Sequence, residues 1–125
     1  MDEGRVTDMG EQREPDRLSV GRSTVDGVTV VTVNGEVDHH TSAVLREALV
    51  PEDPDAATRT VADFSGAAFM DSSGINVLIA ARRAHDPAGR LRLAGVRRPV
   101  LRTLEIVGLS SLLPCYPSVR DALSA

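Results

Sequence analysis

Phe69-Met70-Asp71-Ser72-Ser73-Gly74-Ile75 places two adjacent hydroxyls beside a carboxylate and a glycine, where a strand gives way to a helix. No His or Lys lies within the segment, so neither hydroxyl has a local base to make it a nucleophile. The chain has no G-x-S-x-G elbow, and none of its histidines stands in the context of a general base. A phosphate carried by one of these serines would instead face the free N–H groups and positive dipole end of the helix. The segment therefore reads as one that another protein modifies. Spacing alone leaves a second reading open, in which Ser72 and Ser73 cap the helix.

The other reactive side chains give weaker patterns. His39 and His40 raise a metal site or a base, but adjacent side chains seldom aim together and His85 is the one further imidazole. No Cys/His set has zinc spacing, and the single Cys115 is expected as a small buried apolar residue. Asp38 stands where it could cap a helix or touch a partner, and Glu36 is a strand-end charge. Asp63 is expected at a strand end, bonding a loop. Arg82-Arg83 and Arg97-Arg98 read as solvated helix-end charges, and His85 joins the first pair in complementing the negative dipole end of its helix. No catalytic residue, metal or cofactor is assigned.

A chain of 125 residues can bury one core and is too short for two domains. That core must be aliphatic, because the chain has no Trp, one Tyr and two Phe. A net charge of -4 without a basic stripe disfavours nucleic acid as a partner. The apolar runs are too short to span a bilayer, and the first residues carry no signal-peptide pattern. A cytoplasmic monomer is expected.

The elements that must position the serines follow from periodicity. Met1 to Asp16 is polar and broken by Gly4, Gly10 and Pro15, so a mobile tail is expected over 1–16 and a single domain over 17–125. Arg17 to Ser23 predicts a first strand and Thr24-Val25-Asp26-Gly27 a turn. The six β-branched residues Val28 to Val33 predict a central strand covered on both faces, with Glu36 to Asp38 at its tip. Thr41 to Leu49 predicts a helix capped by Thr41 or Asp38, with Val44, Leu45, Ala48 and Leu49 as its buried stripe. Pro51 to Asp55 ends that helix. Arg59 to Phe64 predicts the next strand and Ser65 to Met70 a loop.

Ser73 to His85 predicts the second helix, with Ile75, Leu78 and Ile79 facing the core and Asp86-Pro87-Ala88-Gly89 stopping it. Arg90 to Ala94 is a strand. A third helix has Pro99 in its first turn and Gly108 as its C′ residue. Leu113 to Tyr116 is a last strand, and Ser118 to Asp121 is a capping box for a final helix. The order is β-β-α-β-α-β-α-β-α: an α/β fold with about five strands, mostly parallel with one antiparallel member at the start, and about four helices.

Two segments, Gly35-Glu36-Val37-Asp38-His39-His40-Thr41 and Met70-Asp71-Ser72-Ser73-Gly74, resemble the signature segments of STAS-domain anti-sigma factor antagonists. The resemblance runs from about Leu18 to the C-terminus and includes the element order. It implies a STAS fold and a bacterial partner-switching circuit. Such an antagonist binds an anti-sigma factor, usually a serine kinase, and so frees a sigma factor. The kinase phosphorylates the second serine of the motif, here Ser73, and a PP2C-type phosphatase reverses this. The partner surface implied comprises Glu36, Asp38, His39, His40, Thr41, Asp71, Ser72, Gly74 and Ile75. Two features depart from the family pattern: Asn76 stands where a small residue is frequent, and the N-terminal tail is longer. The alternative on the same fold is a ligand- or nucleotide-binding or scaffold module, which the missing Gly-rich phosphate loop and the absence of Lys disfavour for nucleotides.

Overall fold

The run of β-branched residues after Gly27 forms the strand on which the sheet is built. In the computed structural model, which describes residues 17–53, 59–85 and 90–125, this strand is longer than its β-branched run predicts. β1 (Leu18–Val25) and β2 (Val28–Val37) form an antiparallel hairpin closed by Asp26 and Gly27, both at positive φ. That pairing of residue types and dihedrals is the twist-matched two-residue hairpin turn. α1 (Ser42–Leu49), β3 (Thr60–Met70), α2 (Ser72–Ala84), β4 (Leu91–Ala94), α3 (Arg98–Ile106), a 3₁₀ turn, β5 (Cys115–Tyr116) and α4 (Val119–Ser124) follow. Strand order is β1-β2-β3-β4-β5, and every pair after the first is parallel, as the element order predicts. The expected tail and the helix stop at Asp86-Pro87-Ala88-Gly89 lie outside the described residues.

Alternation along the strands divides the core between the two faces of the sheet. Val31, Val33, Ala62, Phe64, Leu91 and Leu93 meet Leu45 and Leu49 of α1, Leu78 and Ala81 of α2, and Val100 and Leu104 of α3. On the opposite face Val28, Val61 and Ala94 pack on Ala122 of α4. The expectation that β2 is covered on both sides holds. Ser118 accepts the N–H of Asp121 at 3.1 Å to start α4, and Arg92 donates to the carbonyls of Ala122 and Ala125 at its end. None of the helices among the described residues is long and apolar enough to cross a membrane.

Four expectations need correction. The predicted loop Ser65 to Met70 is strand: β3 continues to Met70 beside an equally extended β2. The low strand preference of Ser65-Gly66-Ala67-Ala68 is overridden by position. Register shifts between Thr32 and Asn34 and between Gly35 and Glu36 give β3 an extra residue at each point, and Asn34 lies against Gly66 where a side chain would not fit. Asp63 is thus inside a strand rather than at its end, though it does bond a neighbour, the N–H of Ser65. The buried stripes differ from those predicted, since Val44 is 46% and Ile79 38% exposed, while Val77 and Ala81 are buried. His85 is no dipole-facing surface charge: it is buried, with Nε2 2.8 Å from the carbonyl of Leu49, and so ties the ends of α1 and α2 together.

Gly35 sits in β2 at φ +116°, and a Cβ built there would lie 1.9 Å from the backbone oxygen of Arg17. Gly27 has φ +79° but open space around it. Gly27→Ala should therefore cost about 1–2 kcal/mol from the left-handed backbone alone. Gly35→Ala adds a backbone collision and should cost clearly more, read as a lower urea midpoint at unchanged m-value. Equal losses for the two variants would mean that the β1–β2 edge relaxes around the clash.

Candidate functional site

β2 and β3 run parallel and end in register, Val37 beside Met70, so the residues that follow them, Asp38 and Asp71, begin adjacent turns. The N–H of Asp71 donates to the carbonyl of Val37 at 3.0 Å and closes the gap between the two chains.

The first turn is organised by a buried carboxylate. Asp38 is 8% exposed, and its Oδ1 accepts the N–H groups of His40 (2.9 Å) and Thr41 (3.1 Å). The hydroxyl of Thr41 donates to the carbonyl of Glu36 at 2.8 Å and accepts the N–H of Asp38 at 2.9 Å. Thr41 occupies the N-cap position of α1 without a side-chain cap bond, so Asp38 does the organising. Arg17 pairs with Asp38 and reaches Glu36 at 3.4 Å. His39 and His40 are exposed with ring centroids 3.9 Å apart, so these neighbours do lie together, against expectation. Among the described residues no group of three or more His, Cys, Asp or Glu side chains is arranged to hold a metal ion.

The second turn repeats the device. Asp71 is the N-cap of α2, and its Oδ1 accepts the N–H of Ser73 at 2.8 Å. Its carbonyl accepts the N–H groups of Gly74 (3.1 Å) and Ile75 (3.2 Å). The reading of Ser72 and Ser73 as caps is thereby replaced: the carboxylate caps, and both hydroxyls are left without a hydrogen bond to any described residue. The helix start also offers fewer free donors than expected, because the N–H groups of Ser73 and Gly74 are already taken. Gly74 lies buried on the paired strand ends, where a Cβ would come within 2.5 Å of Met70 Cγ and 2.8 Å of Val37 Cγ1. Its packing role is therefore structural necessity.

Burial divides the predicted contact residues into two sets. Glu36, His39, His40 and Ser72 are exposed, and Asp71 and Ser73 are partly so; Asp38, Thr41, Gly74 and Ile75 are buried beneath them. Ser73 opens onto a groove of about 310 Å³ between α1 and α2, lined also by Ser42, Ala43, Arg46, Asn76 and Val77. Phe69, one residue before the end of β3, is 48% exposed beside this region in sequence. Arg17 and Arg46 escaped the sequence reading. Arg46 carries a weak signal, a cation one turn beyond Ser42 on α1, but its nearness to Ser73 depends on how the helices pack.

Cys115 stands apart from this surface. It is exposed rather than buried, correcting the expectation, and it donates to the carbonyl of Leu113 at 3.4 Å. Desolvation of the sulfur, and then the nearby Glu105 carboxylate, push its thiol above the ordinary range. A raised thiol has little thiolate at neutral pH and is a poor nucleophile.

Comparison with known proteins covers this whole arrangement. The STAS domain family matches residues 22–122. The anti-sigma F factor antagonist of Paenibacillus polymyxa is 32% identical over 103 residues, spanning 78% of this chain and 86% of that protein. The anti-sigma-F factor antagonist RsfB of Mycobacterium tuberculosis is 27% identical over 110 residues, 88% of this chain and 90% of that one. Among solved structures, the crystal structure of an anti-sigma factor antagonist from Mycobacterium paratuberculosis superimposes with a TM-score of 0.78 at 30% identity. It covers 90% of this chain and 97% of its own. With both strand-end turns and the groove beside them inside the matched region, the chain belongs to the STAS-domain family.

Proposed function

We propose that this protein is an anti-sigma factor antagonist, a binding protein rather than an enzyme, that engages an anti-sigma factor in the cytoplasm and frees a sigma factor for transcription. The class of partner follows from what the relatives are named for. In this reading the anti-sigma factor is a serine kinase that transfers the γ-phosphoryl group of ATP to Ser73 Oγ, leaving ADP. A PP2C-type phosphatase then hydrolyses the phosphoester and restores the antagonist.

One observation carries the choice of Ser73: its backbone N–H is held by Asp71 while its hydroxyl, free of any described partner, stands at the mouth of a groove. A residue fixed by its main chain with its side chain unengaged suits an acceptor that must enter a kinase site without local unfolding. Glu36, His39, His40, Asp71 and Ser72 would meet the partner, and Asp38, Thr41, Gly74 and Ile75 would hold that surface in shape.

Phosphorylation would add about -1.5 to -2 units of charge to a nearly preformed face. Asp71, on the same turn, adds like-charge repulsion. A penalty of ~3 kcal/mol weakens binding more than a hundredfold, which suffices for a switch without refolding. Large chemical-shift changes across the core on phosphorylation would argue against that mechanism.

Tandem mass spectrometry after incubation with ATP and an anti-sigma kinase should find the phosphate on Ser73 in the tryptic peptide Thr60 to Arg82, with Ser72 unmodified. Phosphate on Ser72 alone, or none with any cognate kinase, overturns the assignment. In binding assays Ser73→Asp should lower affinity at least a hundredfold and Ser73→Ala should bind in the presence of ATP as in its absence. Asp71→Ala removes the cap of α2 and should lower stability by about 1 kcal/mol in chemical denaturation.

A further inference from the structure

We propose that the groove between α1 and α2 is the seat of the phosphoryl group carried by Ser73, and that Arg46 is its counter-charge. This rests on the reading of Ser73 as the acceptor and names what receives the charge once it is there. Ser73 on the first turn of α2 and Arg46 on the second turn of α1 line the same groove. Arg46 is exposed, and among the described residues its guanidinium has no hydrogen bond or ion pair. Arg17, Arg22 and Arg82 are by contrast committed to Asp38 and to the carbonyls of Ala48 and Leu112.

The backbone donors at Ser73 and Gly74 are not open to the group. The N–H of Ser73 is bonded to the Asp71 carboxylate and that of Gly74 to the Asp71 carbonyl. With those two donors taken, charge on Ser73 falls chiefly to side chains lining the groove and to water. Among the described residues Arg46 is the one cation lining the groove, and Ser42 and Asn76 add neutral donors. A guanidinium fork pairs with two phosphate oxygens at once. The volume, about 310 Å³, is roughly ten times the ~30 Å³ share of a liquid water, so a phosphoryl group fits with solvent beside it.

The remaining charges do not compete for the role. Asp71 opposes the phosphate from its own turn, and Glu47 of α1 faces a separate cleft with Arg22 and His85. His39 and His40 precede α1, outside the residues lining the groove, while Arg82 and Arg83 lie in the last turn of α2. On this assignment one guanidinium offsets part of the phosphoserine's charge of about -1.5 to -2, and the remainder stays on the face that meets the partner. The phosphoserine folds onto Arg46, bridges the helices and fills the groove that the unmodified face leaves open.

The test installs phosphoserine at position 73 during translation, so that no kinase is needed, and follows its phosphorus resonance against pH. The second phosphate pKa, ordinarily about 6, should be lower by about half a unit or more with Arg46 present than in Arg46→Gln, the direction an adjacent cation imposes. Arg46→Lys should restore part of the shift. Equal values for Arg46 and Arg46→Gln overturn the proposal. Amide spectra of the unphosphorylated variants check that an exposed substitution has left the fold intact. The two readings fail separately: a kinase that ignores Ser73 removes the proposed regulation and leaves the groove assignment standing, whereas a flat titration removes Arg46 and leaves the acceptor.

Discussion

The pairing of Val37 with Met70 is the constraint on which the rest of this surface depends. Two parallel strands that end in register deliver their next residues to the same place, and here both are aspartates. Each carboxylate turns back to accept N–H groups of the turn that follows it. The bond from Asp71 N–H to Val37 carbonyl locks the two turns to each other. α1 and α2 thus start from one platform, and the groove between them inherits its width from a strand register. Gly74 completes the arrangement, since any side chain there would push α2 off the same two residues.

That platform has an unusual distribution of polarity. Asp38 is almost buried yet charged, a state that costs several kcal/mol unless the charge is paired and bonded. Here it has Arg17 and the N–H groups of two residues. Asp71 is less buried and is satisfied locally. The polar groups that shape the turns are the Asp38 and Asp71 carboxylates and the Thr41 hydroxyl, while the hydroxyls of Ser72 and Ser73 and the exposed rings of His39 and His40 hold nothing up. Such a division lets the outer layer change charge without loosening the inner one.

Most of the architecture was legible in the sequence because period and punctuation agreed. The β-branched run Val28 to Val33, the Asp26-Gly27 turn, Pro99 early in a helix and Ser118 before another each fix a boundary by local chemistry. The second half of β3 was not legible. Gly66 is crowded by Asn34 of β2 and Ser65 by Gly95 just past β4, so the causes lie elsewhere in the sheet. The motif serines were visible from residue type and spacing. What holds them was misread locally, since a serine at a helix start resembles a cap and only coordinates show that Asp71 has taken the bond. Arg17 and Arg46 were invisible for a further reason: each is defined by an approach across the fold, and arginine on a strand start or a helix face has no pattern of its own.

The capping choice has a consequence for how such a surface can be switched. If Ser73 capped α2 with its own hydroxyl, esterifying it would remove a helix cap, worth about 1 kcal/mol, and the modification would act on the fold. With Asp71 as the cap, the hydroxyl can be modified while every backbone bond at the helix start persists. The same arrangement narrows the usual refuge for a phosphate at a helix N-terminus, because the N–H groups of Ser73 and Gly74 are already bonded. Much of the charge must then be answered from outside the helix that bears it, by the neighbouring helix, by a partner or by water. A binding face built this way keeps its shape and changes its sign, which is what distinguishes exchange of partners from unfolding.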